Sequence, residues 1–516
     1  MKRFIVICIS LCALLLSAPV IQAQTSDTID NAQALRAQTY SDTLDGVFNN
    51  LHSRTQVQWA EVAITPDDSQ VVFKDITVTY TGQLSKIEGE SGKPEVETLV
   101  AATPYKVHID ELVLDKPNMD LGLNYGIQPL AERIVAKGIT VNNDDWNSEL
   151  TVKEYSLLNL EGPWKAILDM RGQEVDSKTL VDNLLQIQAR AAEVKDLALI
   201  APTTEGDDGV RIATIQASKV GPFNADKLLI SNVEIIFAYR HEGVAIKTID
   251  ADYDLRELAL VLAATPQGSE LKPDWYVGHK FHSNTIFSQI KGQTPVPWSI
   301  DEVTINYVSD KNLKSEVAMR NLKVENKAMA QDSDLQDLAQ MLKGKPLLVS
   351  MNVLSELNAN DFAPTAMEFI AENLADFRFS AMLAGNPNVN PDVISDLDDV
   401  TKLMSANMFM ENMLIRDLDT QYVDRGLIDG IVEMAARQQN QKPEQIRQGF
   451  IMMLDLMSQQ QTGFTKELMG AVKSLVNKPG SLAISITPNT PITLDAMVQA
   501  LGETPVSGIN YKINVK

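Results

Sequence analysis

Thioether sulfurs are the most concentrated candidate ligands in this sequence. Residues 408–426 read MFMENMLIRDLDTQYVDRG, which places Met408, Met410 and Met413 close together. Thioethers are soft ligands that suit Cu(I) in an exported protein, and Met408 and Met410 would project from one face of a strand. Methionine also fills irregular gaps in hydrophobic cores. Further methionines lie on or beside helical apolar stripes: Met434, Met452, Met453, Met457 and Met469. This distribution favours core packing, with a Met-lined apolar groove and a copper site as alternatives.

The carboxylates in and just after this stretch do not have the spacing of a metal site. Asp417, Asp419, Asp424 and Asp429 lack the regularly spaced oxygen ligands around a glycine turn that a calcium loop requires. Charges at a solvated strand edge and at a helix N-terminus explain them better.

The histidines offer one close pair, His279 and His282 in HKFH, with Asp274 nearby. The neighbouring Trp-Tyr-Val triplet favours a strand, on which the two rings would face opposite sides. A third and a fourth ligand are not evident. The sequence therefore predicts no catalytic residue, no cofactor and no metal, with Met408, Met410 and Met413 as the weak metal candidates.

Nucleophilic and phosphate-binding motifs are absent as well. The chain contains no Gly-x-Ser-x-Gly elbow. GESGKP over residues 89–94 has Pro94 where a phosphate loop needs Ser or Thr, which makes it a turn. Glycosidases present many aromatic side chains to sugars, and the aromatic share here is 6%. The composition favours a protein that is not an enzyme and leaves a hydrolase as the third reading.

The first residues have the layout of a secretory signal. Lys2 and Arg3 precede an apolar run, Pro19 interrupts it, and cleavage is expected between Ala23 and Gln24. An uncleaved anchor is the alternative reading, because the apolar run reaches Ile21 and approaches spanning length.

The only cysteines, Cys8 and Cys12, lie inside this signal. Cleavage would therefore leave a chain without a disulfide, a thiol nucleophile or a Cys-based metal site. About 490 residues follow the signal, enough for two or three domains. The predicted location is the periplasm or another exported compartment.

The charge of the chain disfavours nucleic acid as a partner. The net charge is −23, and removal of Lys2 and Arg3 makes it −25. Such a surface repels phosphate backbones and anionic headgroups. No membrane span is expected after cleavage of the signal.

An octet of apolar, polar, then Asp/Glu/Asn/Gly, apolar, any and apolar residues recurs along the chain. The copies are FKDITVTY (73–80), IDELVLDK (109–116), AKGITVNN (136–143), VKEYSLLN (152–159), VKDLALIA (194–201), ISNVEIIF (230–237), LRELALVL (255–262), IDEVTINY (300–307), MRNLKVEN (319–326) and a looser IRDLDTQY (415–422). Its fourth and sixth residues share one face of a strand, and the first has the opposite parity. The two polar residues between them indicate a bend, a bulge or a strand start.

These patterns predict a β-rich α+β fold with extended antiparallel sheets of short repeated strands and a C-terminal α/β helical region. The expected organisation is an N-terminal helix over residues 24–60, a β-rich repeat region over 61–384 and an α/β domain over 393–516. Helices are also predicted at Leu180–Ala192, Leu335–Leu342 and Thr365–Leu374. In the C-terminal domain, apolar spacing predicts three helices, followed by strands at Ser481–Thr487 and Ile509–Lys516 around a last short helix.

The octets such as IDELVLDK and IDEVTINY, which follow an N-terminal export segment, resemble the β-repeat style of AsmA-like envelope proteins over residues 70–330. The C-terminal stretch YVDRGLIDGIVEMAARQQ…SLAISITPNTPITLDAM is similar to an exported proteobacterial family of unknown function. The AsmA-like resemblance implies long β-sheets that form a groove, with a role in envelope lipid homeostasis. It carries no catalytic residue onto this chain.

The sequence thus favours a non-enzymatic exported envelope protein, either a β-sheet scaffold or an apolar groove for lipid or a partner protein. A periplasmic copper-binding protein with a methionine site is the alternative.

Overall fold

The computed structural model describes most of the chain after its first 34 residues. The described residues are 35–42, 55–80, 84–85, 100–101, 105–121, 123–143, 148–170, 177–204, 206–237, 242–264, 280–293, 296–309, 313–357, 362–385, 413–502 and 506–516. The expected signal segment, residues 1–23, lies outside them. The chain divides into two compact units, Met1–Pro266 and Gln267–Lys516.

Unit 1 consists mainly of strands. The strands are β1 (Thr55–Gln58), β2 (Glu61–Ile64), β3 (Gln70–Tyr80), β4 (Leu84–Ser85), β5 (Val100–Ala101), β6 (Tyr105–Pro117), β7 (Gln128–Asn143), β8 (Ser148–Gly162), β9 (Gln188–Thr203), β10 (Gly206–Gly221), β11 (Asn224–Phe237) and β12 (Glu242–Asp254). The helices are α1 (Trp164–Asp169), α2 (Ser177–Leu184) and α3 (Arg256–Ala264).

The sheet of unit 1 is an antiparallel meander. From β6 to β12 each strand pairs with the next one along the chain. At the other side β6 pairs with β3, and β3 pairs with both β1 and β2. All but one of the octets of unit 1 begin at least three residues inside a strand, so they do not mark strand starts. The β-rich antiparallel fold expected from the sequence is confirmed.

A left-handed residue occupies the third position of several octets. These residues are Asp75 (φ 51°), Gly138 (φ 61°), Asp196 (φ 50°), Asn232 (φ 53°) and Asn321 (φ 53°). Glycine, asparagine and aspartate are the residue types that adopt this conformation most readily. The polar third residue of the octet is therefore a backbone requirement at these positions.

The left-handed residues of unit 1 interrupt the pairing at one level of the sheet. Lys74 pairs with Glu111 and Ile76 with Ile109, while the pair between them is skipped. The interruption recurs in every pairing through β12. It aligns one residue from each strand, a set called the bend row below: Asp75, Asp110, Gly138, Lys153, Asp196, Ala213, Asn232 and Lys247. Equal numbers of residues are skipped on both strands, so this is a bend and not a bulge that adds a residue to one strand.

The bend corrects the expected parity of the octet. Phe73 and Ile76 are three residues apart in β3 and would face opposite sides of a regular strand, yet both are buried. Val152 and Tyr155 in β8 repeat this arrangement. The first apolar residue of the octet therefore lies on the same face as the fourth, and the prediction of opposite parity is wrong.

Of the predicted N-terminal helix, 24–60, residues 35–42 are helical, whereas Thr55–Gln58 form strand β1, so the prediction is wrong for that end. Tyr40 is buried, and its hydroxyl donates to the carbonyl of Leu130 at 3.4 Å. Burial raises the pKa of this phenol. Leu35 on the same helix is 69% exposed. The helix thus contacts the sheet through Tyr40 at the end where β7 begins.

Unit 2 combines a second meander with helices. Its strands are β13 (Phe281–Gln293), β14 (Trp298–Ser309), β15 (Leu313–Val324), β16 (Leu347–Leu357), β17 (Ala363–Ala371), β18 (Ala375–Gly385), β19 (Met413–Asp424), β20 (Ser481–Pro488) and β21 (Ile509–Val515). Its helices are α4 (Asn326–Met329), α5 (Gln336–Met341), α6 (Leu427–Gln438), α7 (Pro443–Gln459), α8 (Gly463–Asn477) and α9 (Leu494–Gly502).

Each strand of unit 2 also pairs antiparallel with the next. Here the octet forms a true bulge: Arg320 and Asn321 on β15 lie opposite Ser350 alone on β16. The Asn321 backbone N–H donates to Ser350 Oγ at 3.0 Å, and its side chain donates to Asp301 at 2.8 Å. These bonds hold the extra residue in place.

The helices of unit 2 cover parts of its sheet. Buried Met329 and Leu342 pack with Val349 and Leu374 where α4 and α5 meet the sheet. Met497 and Leu501 of α9 pack against Ile415 and Ile486. Leu475 of α8 packs against Leu482. Of the predicted boundary, 385–392, Gly385 ends β18 and the other residues lie outside the described ones, and β18 and β19 on either side of it are neighbours in the sheet.

Three further secondary-structure predictions are corrected. The octet at 255–262 is helical and forms α3 instead of a strand. Thr365–Leu374 was expected to be a helix, but Ala363–Ala371 is strand β17, paired on both sides. The helix expected at Leu180–Ala192 ends at Leu184, and β9 begins at Gln188. The predicted helix at Leu335–Leu342 and the C-terminal helices are confirmed as α5, α6, α7 and α8.

Candidate functional site

The predicted methionine site falls largely outside the described residues. Met408 and Met410 lie there, and Met413 begins β19, where only its backbone is described. Within the described ranges, no group of three or more His, Cys, Asp or Glu side chains could hold a metal ion.

The acidic residues after Met413 serve separate partners. Asp417 contacts Arg416 at 3.0 Å, and Asp429 pairs with Arg447. Asp424 accepts the backbone N–H groups of Gly426 and Ile428, which orients it as a cap at the start of α6. A charge at a helix N-terminus is what the sequence suggested for this cluster.

The histidine pair is also only partly described. His279 and Asp274 lie outside the described residues, and His282 lies in β13 opposite Val308. In β6, His108 Nε2 lies 3.2 Å from Asp110 Oδ1. The described residues therefore do not join these rings into one centre.

Several methionines predicted to fill the core are exposed instead. On α7, Met452 is 64% exposed, Met453 50% and Met457 46%, and Leu456 beside them is 59% exposed. Ile446, near the start of α7, is buried against Val432 and Ala436 of α6. The core interpretation is thus wrong for these three methionines, which lie in the C-terminal half of α7.

The two faces of the unit 1 sheet differ in chemistry. One face carries alternating charges at adjacent register positions on five neighbouring strands: Lys74, Glu111, Lys137, Glu154 and Lys195. Lys137 Nζ lies 2.7 Å from Glu111 Oε1, and Lys195 Nζ lies 2.8 Å from Glu154 Oε1. Opposite charges on neighbouring strands stabilise the sheet and keep this face solvated.

Within these five charged residues, called the charged ladder below, Glu154 and Lys195 shift each other's pKa values. The hydrogen bond from Lys195 lowers the pKa of Glu154, and Lys195 has a raised pKa through its bonds to Glu154 and then Glu193. Glu193 also has a lowered pKa, first because Gln216 donates to it. All these shifts stabilise charged forms, as expected of a structural ion network and not of an acid–base catalyst poised near neutral pH.

The opposite face is aliphatic over β9–β12. Three rows of side chains cross these strands, and together they are called the aliphatic face below. They are Leu199, Val210, Ile235 and Val244; Leu197, Ile212, Val233 and Ile246; and Val194, Ile215, Ile230 and Ile249. The middle row is buried. The first row is half-buried throughout, and so are the last three residues of the third row.

This geometry suits apolar contact. The seven half-buried side chains of the aliphatic face are all Val, Leu or Ile, and they can cover an acyl chain or an apolar partner surface. The half-buried rows leave apolar area available on both sides of the buried one. The aliphatic face is therefore the candidate functional site.

Sequence comparison adds a partial match. A family model described as an uncharacterized protein matches residues 368–516. No curated protein matches the chain. The matched range covers β18 and β19 with the helices and strands that follow, and it excludes the aliphatic face. Among the described residues, no helix is long and apolar enough to cross a bilayer.

The sequence pattern contained the aliphatic face but not its extent. The first, fourth and sixth octet positions of β9 and β11 supply six of its twelve residues, and strand alternation is visible only between positions such as Leu197 and Leu199. Because the first position was assigned to the opposite face, the three rows could not be recognised as one surface.

Proposed function

We propose that this chain is an exported, non-enzymatic envelope protein whose aliphatic face binds the acyl chains of lipid. The observation that carries the proposal is the half-burial of Leu199, Val210 and Ile235, together with Ile215 and Ile230. Burying such side chains fully gives roughly 25 cal/mol per Å² of apolar surface, so an acyl chain along a row would be held without any polar contact.

The export segment and the resemblance to AsmA-like proteins support an envelope location. The charged ladder on the opposite face gives the sheet one solvated side, as expected of a carrier that shields apolar cargo on the other. A lipid role is preferred to a scaffold because a scaffold would close its apolar rows against other parts of itself.

The test is native mass spectrometry of the protein purified from its own envelope, followed by lipid extraction. Co-purifying phospholipid is the expected result. A bare polypeptide would contradict the proposal, and a one-copper adduct in place of lipid would support the methionine alternative.

Adjacent residues of β11 provide matched variants. Ile235 and Ile236 are both half-buried, but Ile235 belongs to the aliphatic face and Ile236 faces the other side. Ile235→Asn should lose bound lipid, whereas Ile236→Asn should retain it. Equal lipid content in both variants, with equal circular dichroism spectra, would place the lipid elsewhere.

A further inference from the structure

The loop between β6 and β7 exposes large apolar side chains. In residues 118–127, Leu123 is 71% exposed, Tyr125 73%, Ile127 57% and Met119 37%. The loop, NMDLGLNYGI, contains one charged residue, Asp120. Contiguous apolar exposure of this kind marks interaction sites on soluble proteins.

The loop is held in this conformation by its base. Asn118 Nδ2 donates to the carbonyl of Pro129 at 3.1 Å, and Gln128 Nε2 donates to that of Asn124 at 3.1 Å. Trp164 of α1, fully buried, donates to the carbonyl of Gln128 at 2.7 Å. The apolar tips are therefore presented outward by a fixed scaffold and do not fold back onto the sheet.

Tyr125 has the amphipathic environment of a residue at a water–lipid interface. Its hydroxyl donates to Asp169 at 2.6 Å, which raises the pKa of the phenol. Lys165 lies 5.4 Å from the centre of its ring and pairs with Asp169. The polar end of the side chain is satisfied by α1, while the ring remains exposed.

The charges around the loop select among lipid surfaces. Lys116 pairs with Glu132 at 2.6 Å and Lys165 pairs with Asp169, so these cations are already neutralised. The chain as a whole carries −23. An anionic surface would be repelled by Asp120 and by the net charge, whereas a zwitterionic surface, which has no net charge, would not be.

We propose that the 118–127 loop inserts its apolar side chains into the surface of a zwitterionic lipid bilayer. Leu123 and Tyr125 protrude, and a protruding apolar loop with a single charged residue, Asp120, fits a fluid interface better than a flat protein surface. The loop adjoins buried Leu114 and Leu130, where β6 ends and β7 begins. This inference deepens the proposed function: insertion of the loop would bring the protein to a bilayer that supplies acyl chains. It rests on the proposed function only for this role.

The test is flotation of the full chain with phosphatidylcholine vesicles, compared with vesicles that also contain phosphatidylglycerol. Leu123→Asp/Ile127→Asp should lower partitioning onto phosphatidylcholine by at least about tenfold, because two apolar side chains no longer leave water. The control, Met452→Asp/Leu456→Asp, removes two similarly exposed apolar side chains from α7 and should bind as the parent chain does.

A second readout does not depend on the aspartate variants. Tyr125→Trp should show a blue-shifted emission with vesicles, quenched by phosphatidylcholine brominated on its chains. Binding only to anionic vesicles, unchanged binding of the loop variant, or loss of binding in the α7 control would each overturn the proposal. So would dimerisation that depends on Leu123 without vesicle binding, since the loop would then serve a second copy.

The two proposals can fail separately. Lipid in the purified protein without vesicle binding would refute the loop and leave the aliphatic face standing. Vesicle binding by a protein that carries no lipid would refute the aliphatic face and leave the loop standing.

Discussion

Single residues in the bend row decide whether the sheet keeps its apolar face continuous. Asp75, Gly138, Asp196 and Asn232 adopt positive φ, and each allows apolar residues on both sides of the bend to point inward. In a regular strand of the same sequence, the apolar residues on one side of the bend would face the solvent instead of the core. The polar residues of the octet thus serve the core, although their side chains are outside it.

Gly138 is the most constrained position of the bend row. A Cβ added there would lie 1.8 Å from Asp110 Oδ2, and its φ of 61° is strained for any side chain. Gly138→Ala should therefore destabilise the chain by more than the roughly 1–2 kcal/mol of the left-handed conformation alone. Urea unfolding measures the change.

Asp110→Ala provides the second arm of this experiment. In that background Gly138→Ala should cost less, because the aspartate no longer occupies the space. An equal cost in both backgrounds would show that only the backbone conformation matters.

A substitution of Asn232 tests the requirement for positive φ in the bend row separately from the steric clash described for Gly138. Asn232→Val should reduce the free energy of unfolding by roughly 1–2 kcal/mol, since a β-branched residue tolerates positive φ poorly. Ser231→Val, next to it at an ordinary strand position, is the control and should change stability little. Equal losses in the two variants would contradict a special role for Asn232.

At the scale of elements, strands could be predicted from the sequence where octets follow one another closely. The prediction failed where a segment fits both a helix and a strand pattern. LRELALVL fits the octet, but Leu, Ala, Glu and Arg are helix formers, and Asp254 accepts the backbone N–H of Arg256 at its start. That composition could have identified α3. In β17, pairing to both β16 and β18 overrides the helix propensity of Ala, Met and Glu. A short segment of sequence does not reveal pairing of this kind, because the partner strands lie outside the segment.

The candidate site shows the same division. The alternation of Leu197 and Leu199 can be found in the sequence, but the bend that brings Val194 onto the same face cannot. The exposed loop was missed because Met119, Leu121, Leu123, Tyr125 and Ile127 alternate like a strand. Only Leu121 of the five is buried.

The charged ladder predicts a pH dependence. Glu154 has a lowered pKa in the folded state. Its contribution to the free energy of unfolding is therefore present above the pKa of an ordinary carboxyl group and is lost as the pH falls through the folded-state pKa. Lys195→Met removes the main cause of the shift and should make the loss of stability between pH 6 and about pH 3 shallower. Unfolding midpoints across this range measure it.

Lys106 gives the control for the ladder. It lies on the same solvated face, and the described residues show no ion pair with it. Lys106→Met should leave the slope unchanged. A slope identical in the parent and in Lys195→Met would mean that the ladder does not contribute to acid sensitivity.

Helix α7 separates buried from exposed positions within one turn. Ile446 is 7% exposed, and Ile446→Ala should cost roughly 2–5 kcal/mol because it leaves a cavity against α6. Gly449 has open space where a Cβ would lie, and Gly449→Ala should stabilise by roughly 0.5–1 kcal/mol through helix propensity. Thermal unfolding compares the two. A destabilising Gly449→Ala would indicate that something occupies the open side of α7.

At the scale of the whole molecule, the proposal of export makes a prediction about covalent chemistry. The only cysteines, Cys8 and Cys12, precede the expected cleavage site between Ala23 and Gln24. A chain that begins at Gln24 contains no thiol, so its unfolding midpoint should be the same with and without a reductant. Its intact mass should correspond to residues 24–516.

Ala23→Leu places a larger residue before the cleavage site and should retain residues 1–23 in the exported fraction. A parent chain that keeps Cys8 and Cys12 at its full mass would show that the segment remains as an anchor, and the membrane contact of the 118–127 loop would then be made by a tethered protein.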